Sequence, residues 1–241
     1  MSLSNKRIVV IGGSSGIGYA VADAALADGA GVVIGSSQAA NVEAATGKLG
    51  NRATGHTIDV KDEPNVAAFF EKVGPFDHLV FTAGDWGGRG ARHITETDLD
   101  RAADLSAVRY WGALRAIKHG QPLIREGGSI VLTTGLVAHR PRKGAPISTA
   151  MAGALEHLTR GLAVDLAPIR VNIVCPGLIR TEVWNSIPAE GREEQFKQMT
   201  ARQPLARIGE PAEGAEAYLY LLRAGYTTGQ VLHVDGGGSI V

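Results

Sequence analysis

The chain has 241 residues, 44% of them hydrophobic, and its 24 Lys and Arg are matched by 24 Asp and Glu. This length suits one α/β domain with a sizeable core, and a neutral balance without a long basic stripe argues against nucleic acid as a partner. No apolar run is long enough to span a bilayer and MSLSNKR lacks a secretory core, so the expectation is a cytoplasmic protein with no membrane partner.

The first element is Arg7 to Gly18, RIVVIGGSSGIG. Ile8, Val9, Val10 and Ile11 read as a strand buried on both faces, and the alanine-rich stretch after Gly18 has helical spacing. Gly12 allows a tight turn, Gly16 lets the backbone approach a pyrophosphate, and Gly18 lets the helix pack close to the strand. With Ser14, Ser15 and Ile17 between and beside them, the N-terminus of the helix offers free N–H groups to an anion. An ordinary glycine-rich turn would show the same glycines, but here both the preceding strand and the following helix fit.

The spacing Gly-x-x-x-Gly-x-Gly, with Ile17 inside it, resembles the short-chain dehydrogenase/reductase family, and the resemblance covers nearly the whole chain. It implies a single Rossmann-type doubly wound α/β domain over residues 1–241, with a seven-stranded parallel sheet flanked by helices. It also implies an oxidoreductase of a small alcohol or carbonyl compound, with NADP or NAD as cofactor and no metal.

Ala30 to Gly35 reads as the second strand, and in dinucleotide folds the residues after it face the adenine ribose. Here they are Ser36, Ser37 and Gln38. No carboxylate repels a 2′-phosphate, which favours NADP over NAD; the same residues also serve as caps of the helix Ala39 to Leu49. His56 to Val60 reads as the third strand. The resemblance places Asp59 and Val60 at the adenine, while position alone allows Asp59 to be a turn residue. A helix from Glu63 to Val73 follows, with a proline near its start.

Phe76 to Gly84 is the fourth strand and its turn. Where the family carries Asn-Asn-Ala-Gly, this chain has Phe81-Thr82-Ala83-Gly84. Ala83 and Gly84 match and suit a backbone packed against the cofactor ribose, whereas the asparagine bridge to the central strands has no counterpart. Asp85, Trp86 and the loop after them can rim a substrate pocket or be a solvated loop. Asp98 to His119 reads as a long helix; Asp104 takes the place of the family's relay asparagine, or is a solvated residue. Tyr110 and Trp111 suit subunit packing.

Gly128 to Thr134 is the fifth strand, and Thr134 aligns with the family's serine that donates to the substrate carbonyl, a catalytic role. The family then needs Tyr-x-x-x-Lys on a helix, because i and i+4 share a face. Ile147 stands in the Tyr place and Met151 in the Lys place, and neither carries a proton. The loop His139-Arg140-Pro141-Arg142-Lys143 holds groups that could substitute, or is simply solvated. Ile169 to Cys175 is the sixth strand, with Cys175 a small core residue. The resemblance assigns Pro176, Gly177 and Thr181 to the nicotinamide end, and 182–207 to a substrate lid. A helix to Arg223 and the strand VLHV complete the chain. The helices Asp98–His119 and Ser148–Asp165 resemble the pair through which the family dimerises, so a homodimer or homotetramer is expected. The runner-up function is a catalytically inactive NADP(H)-binding sensor or partner subunit.

Overall fold

In the computed structural model, which describes residues 2–84 and 93–241, the apolar runs of the sequence become seven strands. They are β1 (Arg7–Ile11), β2 (Gly31–Ser36), β3 (Ala53–Thr57), β4 (Phe76–Phe81), β5 (Ile124–Thr133), β6 (Arg170–Pro176) and β7 (Val231–Val234). All pair in parallel, in the order β3-β2-β1-β4-β5-β6-β7, which is the expected Rossmann-type arrangement. The helices are α1 (Gly16–Ala27), α2 (Ala39–Leu49), α3 (Glu63–Val73), α4 (Leu99–Ser106), α5 (Ala113–Gly120), α6 (Pro146–Asp165), α7 (Arg192–Thr200) and α8 (Pro211–Arg223). Among the described residues, no helix is long and apolar enough to cross a membrane.

Successive strand residues point to opposite faces, and both faces are covered. Ile8 and Val10 join Val32, Ile34 and Val174 in one core, closed by Val21, Ala25 and Leu26 of α1 and Ala215, Tyr218 and Leu222 of α8. Val9 and Ile11 join Leu79, Ile130 and Ile173 in the other, closed by Phe69 and Phe70 of α3, Ala116 of α5 and Leu155 of α6. Each large side chain so buried contributes about 1.5–3 kcal/mol of transfer free energy.

Two expected elements differ. The third strand lies at Ala53–Thr57 rather than His56 to Val60. Among the described residues it is an edge strand paired with β2 alone, so its residues carry little of the apolar signal, while Ile58 and Val60 turn inward beyond its end. The long helix after position 98 is interrupted by a π-helical stretch, Ala107–Gly112. There Gly112 packs on Val60, where an added Cβ would meet Val60 Cγ2 at 2.7 Å.

At the opposite end of the sheet from the glycine turn, Asp77 accepts hydrogen bonds from Arg7 N, Lys6 Nζ and Arg125 Nη1. Its neighbour His78 is 4% exposed and shares a 2.8 Å hydrogen bond between Nδ1 and the Ser129 hydroxyl. Burial holds the His78 pKa at about 4 against an ordinary 6.5, outweighing the opposing pull of Asp77. A base with a lowered pKa favours folding fully above its unfolded value, and that contribution is lost as pH falls from 6.5 towards 4. The full loss is about 3 kcal/mol. In urea unfolding from pH 7 to pH 4, wild type should therefore lose about that much more stability than His78→Asn; parallel profiles would refute the assignment.

Candidate active site

The strand order reverses between β1 and β4, which opens a crevice at their C-terminal ends. The crevice is built by backbone packed too closely for side chains. Gly12 has φ +91°, and a Cβ there would lie 2.6 Å from Ala83 N and 2.7 Å from Thr82 Oγ1. A Cβ on Gly18 would lie 2.2 Å from the Gly12 carbonyl oxygen. The expected turn and close helix packing are thus both present. Thr82, which sequence reasoning left without a role, donates from its hydroxyl to Ile11 O at 3.2 Å. Thr82 N and Ala83 N donate to the same carbonyl at 2.8 and 3.1 Å. Thr82 therefore ties β4 to β1 where an asparagine bridge was missing, and the available signal was a hydroxyl immediately after an apolar strand.

α1 begins at Gly16 behind an extended Ser15, and among the described residues no side chain caps it. The first-turn N–H groups of Gly16, Ile17 and Gly18 are left for an external acceptor. Across from Gly16 stands Thr181, whose Cγ2 would be 3.2 Å from an added Cβ. Ser14 and Ser36, 22 positions apart, meet through a 2.9 Å hydroxyl–hydroxyl hydrogen bond, and Ser37 is exposed beside them. An uncapped helix start, a glycine cradle and hydroxyls at the end of β2 fit the pyrophosphate and adenosine of a dinucleotide.

The remaining expected residues divide. Asp59 is exposed and its carboxylate accepts from Lys61 N at 2.9 Å, a turn role. Val60 is buried beneath Gly112. Ala83 and Gly84 line the crevice, with the Arg109 side chain resting on Gly84. Pro176 is buried at the end of β6, and Gly177 packs on Asp235, where a Cβ would lie 2.6 Å from its Cα. Asp104 is exposed on α4, and Trp111 is 52% exposed. Residues 85–92 lie outside the described residues.

Thr134, expected to donate to a substrate carbonyl, is fully buried here and its hydroxyl donates to Ala152 O of α6 at 2.9 Å. The inward stripe of α6 is Ala152, Leu155, Glu156 and Thr159. At 100° per residue, Ser148 falls in line with that stripe at the helix start, where it is exposed, whereas Ile147 and Met151 lie out of line and are half-buried. In either register the head of the helix carries no phenol and no ammonium.

The expected lid starts with a short 3₁₀ turn, Glu182–Ser186, and continues into α7. Arg180 pairs with Glu193 of α7 and with Glu210 at 3.0 Å, and its guanidinium lies 5.0 Å from the Phe196 ring centre. The two carboxylates push its pKa up and keep it charged. Between this anchor and Gly16 and Tyr19 of α1 lies a cleft of ≈ 350 Å³.

A family model described as enoyl-(acyl carrier protein) reductase matches residues 11–239. The short-chain dehydrogenase/reductase ATR9 of Stachybotrys chlorohalonatus is 34% identical over 251 residues, covering 98% of each chain. A solved structure of a small-chain dehydrogenase in complex with NADPH is 31% identical, with TM-score 0.81, covering 99% of this chain and 100% of that one. The apo structure of a short chain oxidoreductase of Pseudomonas aeruginosa PAO1, described as containing an atypical catalytic center, is 28% identical with TM-score 0.89, covering 98% of both chains.

The crevice makes its own prediction. Gly18→Ala drives a methyl group into the Gly12 carbonyl, a rigid backbone atom, and should lower the thermal unfolding midpoint by roughly 2–12 °C. An unchanged midpoint would show that the turn relaxes and that the packing is not required.

Proposed function

The chain belongs to the short-chain dehydrogenase/reductase family, and from that premise we propose that it binds a nicotinamide dinucleotide, NADP(H) before NAD(H), and acts as an oxidoreductase with an atypical proton supply. The observation that carries this reading is the uncapped start of α1 above the Gly12–Gly18 packing, at the point where the strand order reverses. Gly16, Ile17 and Gly18 hold the pyrophosphate through backbone N–H groups. Ser14, Ser36 and Ser37 meet the adenosine end, where no carboxylate stands to repel a 2′-phosphate. Gly84, Gly177 and Thr181 border the nicotinamide end, and the segment from Arg180 through α7 closes over it.

When bound, the nicotinamide supplies or accepts the hydride. Reducing a carbonyl also calls for a proton on its oxygen, and the head of α6 holds none: Ile147, Met151 and Ala152 are apolar, and the hydroxyl of Ser148 is a very weak acid. General acid catalysis contributes about 10²–10⁴-fold, so simple ketones are reduced slowly, with water as the proton source. The same observation supports a second reading, a cofactor-binding subunit or sensor without reductase chemistry.

Calorimetric titration should show NADPH binding more tightly than NADH. Gly16→Val should abolish both, and Ser36→Asp should reverse the preference. Absence of binding to either form by wild type would refute the nucleotide reading, and equal affinities would refute the preference.

Turnover of a ketone panel by wild type should be barely detectable. Ser148→Tyr with Ala152→Lys, one turn apart in line with the buried stripe, should raise it by about 10²-fold or more, whereas Ile147→Tyr with Met151→Lys should not. Wild-type rates in the usual enzyme range, about 1–10³ s⁻¹, would refute the missing-acid argument. A wild type with no turnover that still binds NADPH would favour the second reading.

A further inference from the structure

Three side chains that the nucleotide reading does not use meet beside β7. Cys175 of β6 stands in register with His233 of β7, so the two lie side by side on one face of the sheet. His139, at the end of the 3₁₀ turn Leu136–Ala138 after β5, brings its ring to 4.4 Å from that of His233, centre to centre. One ring nitrogen from each histidine and the Cys175 sulfur all lie within 4.8 Å of one another.

The surroundings suit a cation. Glu156, buried on the inward stripe of α6, holds Nε2 of His139 at 2.8 Å. A carboxylate on one nitrogen of an imidazole is the usual arrangement behind a metal-ligating histidine, because it fixes the ring and raises its basicity. Nδ1 of His233 is buried with no hydrogen-bond partner, and the nearest carboxylate oxygen, from Asp235, is 3.9 Å away.

We propose that His139, Cys175 and His233 form a binding site for a zinc-class divalent metal ion, with Glu156 orienting His139 from behind. Two imidazoles and a thiolate select zinc or cobalt over magnesium or calcium, which prefer oxygen. Tetrahedral bonds of usual length place such ligand atoms about 3.4–3.6 Å apart, so the cluster closes by roughly 1 Å on binding. His139 supplies that movement, since it sits on a turn while its partners are fixed in adjacent strands. The S–H bond of Cys175 breaks as the sulfur–metal bond forms, and the proton leaves to solvent. The side chains of His139 and His233 are 33% and 31% exposed, which provides an entry path and leaves the fourth position to water.

The test uses the full chain, stripped with a chelator and titrated with cobalt(II), then zinc(II). One cobalt per chain should bind, with a thiolate-to-cobalt charge-transfer band, tetrahedral visible bands and displacement by zinc. Zinc should raise the unfolding temperature of the wild type. Cys175→Ser should remove the charge-transfer band, and the part-exposed variant His233→Asn should weaken binding at least tenfold. Glu156→Gln should keep the band while weakening binding by about 10–100-fold, as expected of a positioning residue. Absence of the band in folded wild type, or cobalt affinity unchanged in both His233→Asn and Cys175→Ser, overturns the site. The result is independent of whether NADPH binds.

Discussion

The contact on which the crevice depends is the tie between β1 and β4. The Ile11 carbonyl accepts from Thr82 N, Ala83 N and the Thr82 hydroxyl, and the chain then turns through Gly12 directly beneath Ala83. Gly18 rests on the Gly12 carbonyl, so α1 starts one turn from the sheet with its N–H groups uncapped. A side chain at either glycine would push the helix away and fill the space. A neutral, sequence-tolerant backbone surface is thereby aimed at whatever anion enters between the two halves of the sheet.

The segment from Arg180 through α7 is held by charge as well as by packing of the buried Phe196 against Trp184. Arg180 joins Glu193 to Glu210, and Glu210 in turn forms a capping box with Glu213, which also takes Arg207. Glu213 is held near 2, most strongly by Arg207 and then by the Glu210 N–H. Exposed pairs of this kind contribute little stability one by one, but as a chain of contacts they set where α7 lies relative to α8.

On the α6 side, the ionisable chemistry has moved. The head of the helix offers alkyl groups, hydroxyls and a carbonyl that accepts the Thr134 proton, whereas one turn further Glu156 reaches a cluster containing His139, Cys175 and His233. The titratable groups here gather at the ends of β6 and β7.

Much of this was legible in the residues themselves. Buried parallel strands are continuous apolar runs, and helices such as Ala39–Leu49 and Glu63–Val73 are bounded by local signals, so both could be read along the chain. The glycine turn was legible for the same reason, since its demands are set by backbone geometry within a few residues. What local pattern could not decide was where side chains from distant segments point. Whether Thr134 faces a substrate or the Ala152 carbonyl depends on how α6 is rotated against β5, and a rotation of one residue moves a side chain by 100°. The replacement of the asparagine bridge by Thr82 depends on β1 and β4 being neighbours, and the meeting of Cys175 with His233 depends on the register of β6 with β7. Periodicity along one segment carries no information about register between two, so these contacts belong to the tertiary structure alone.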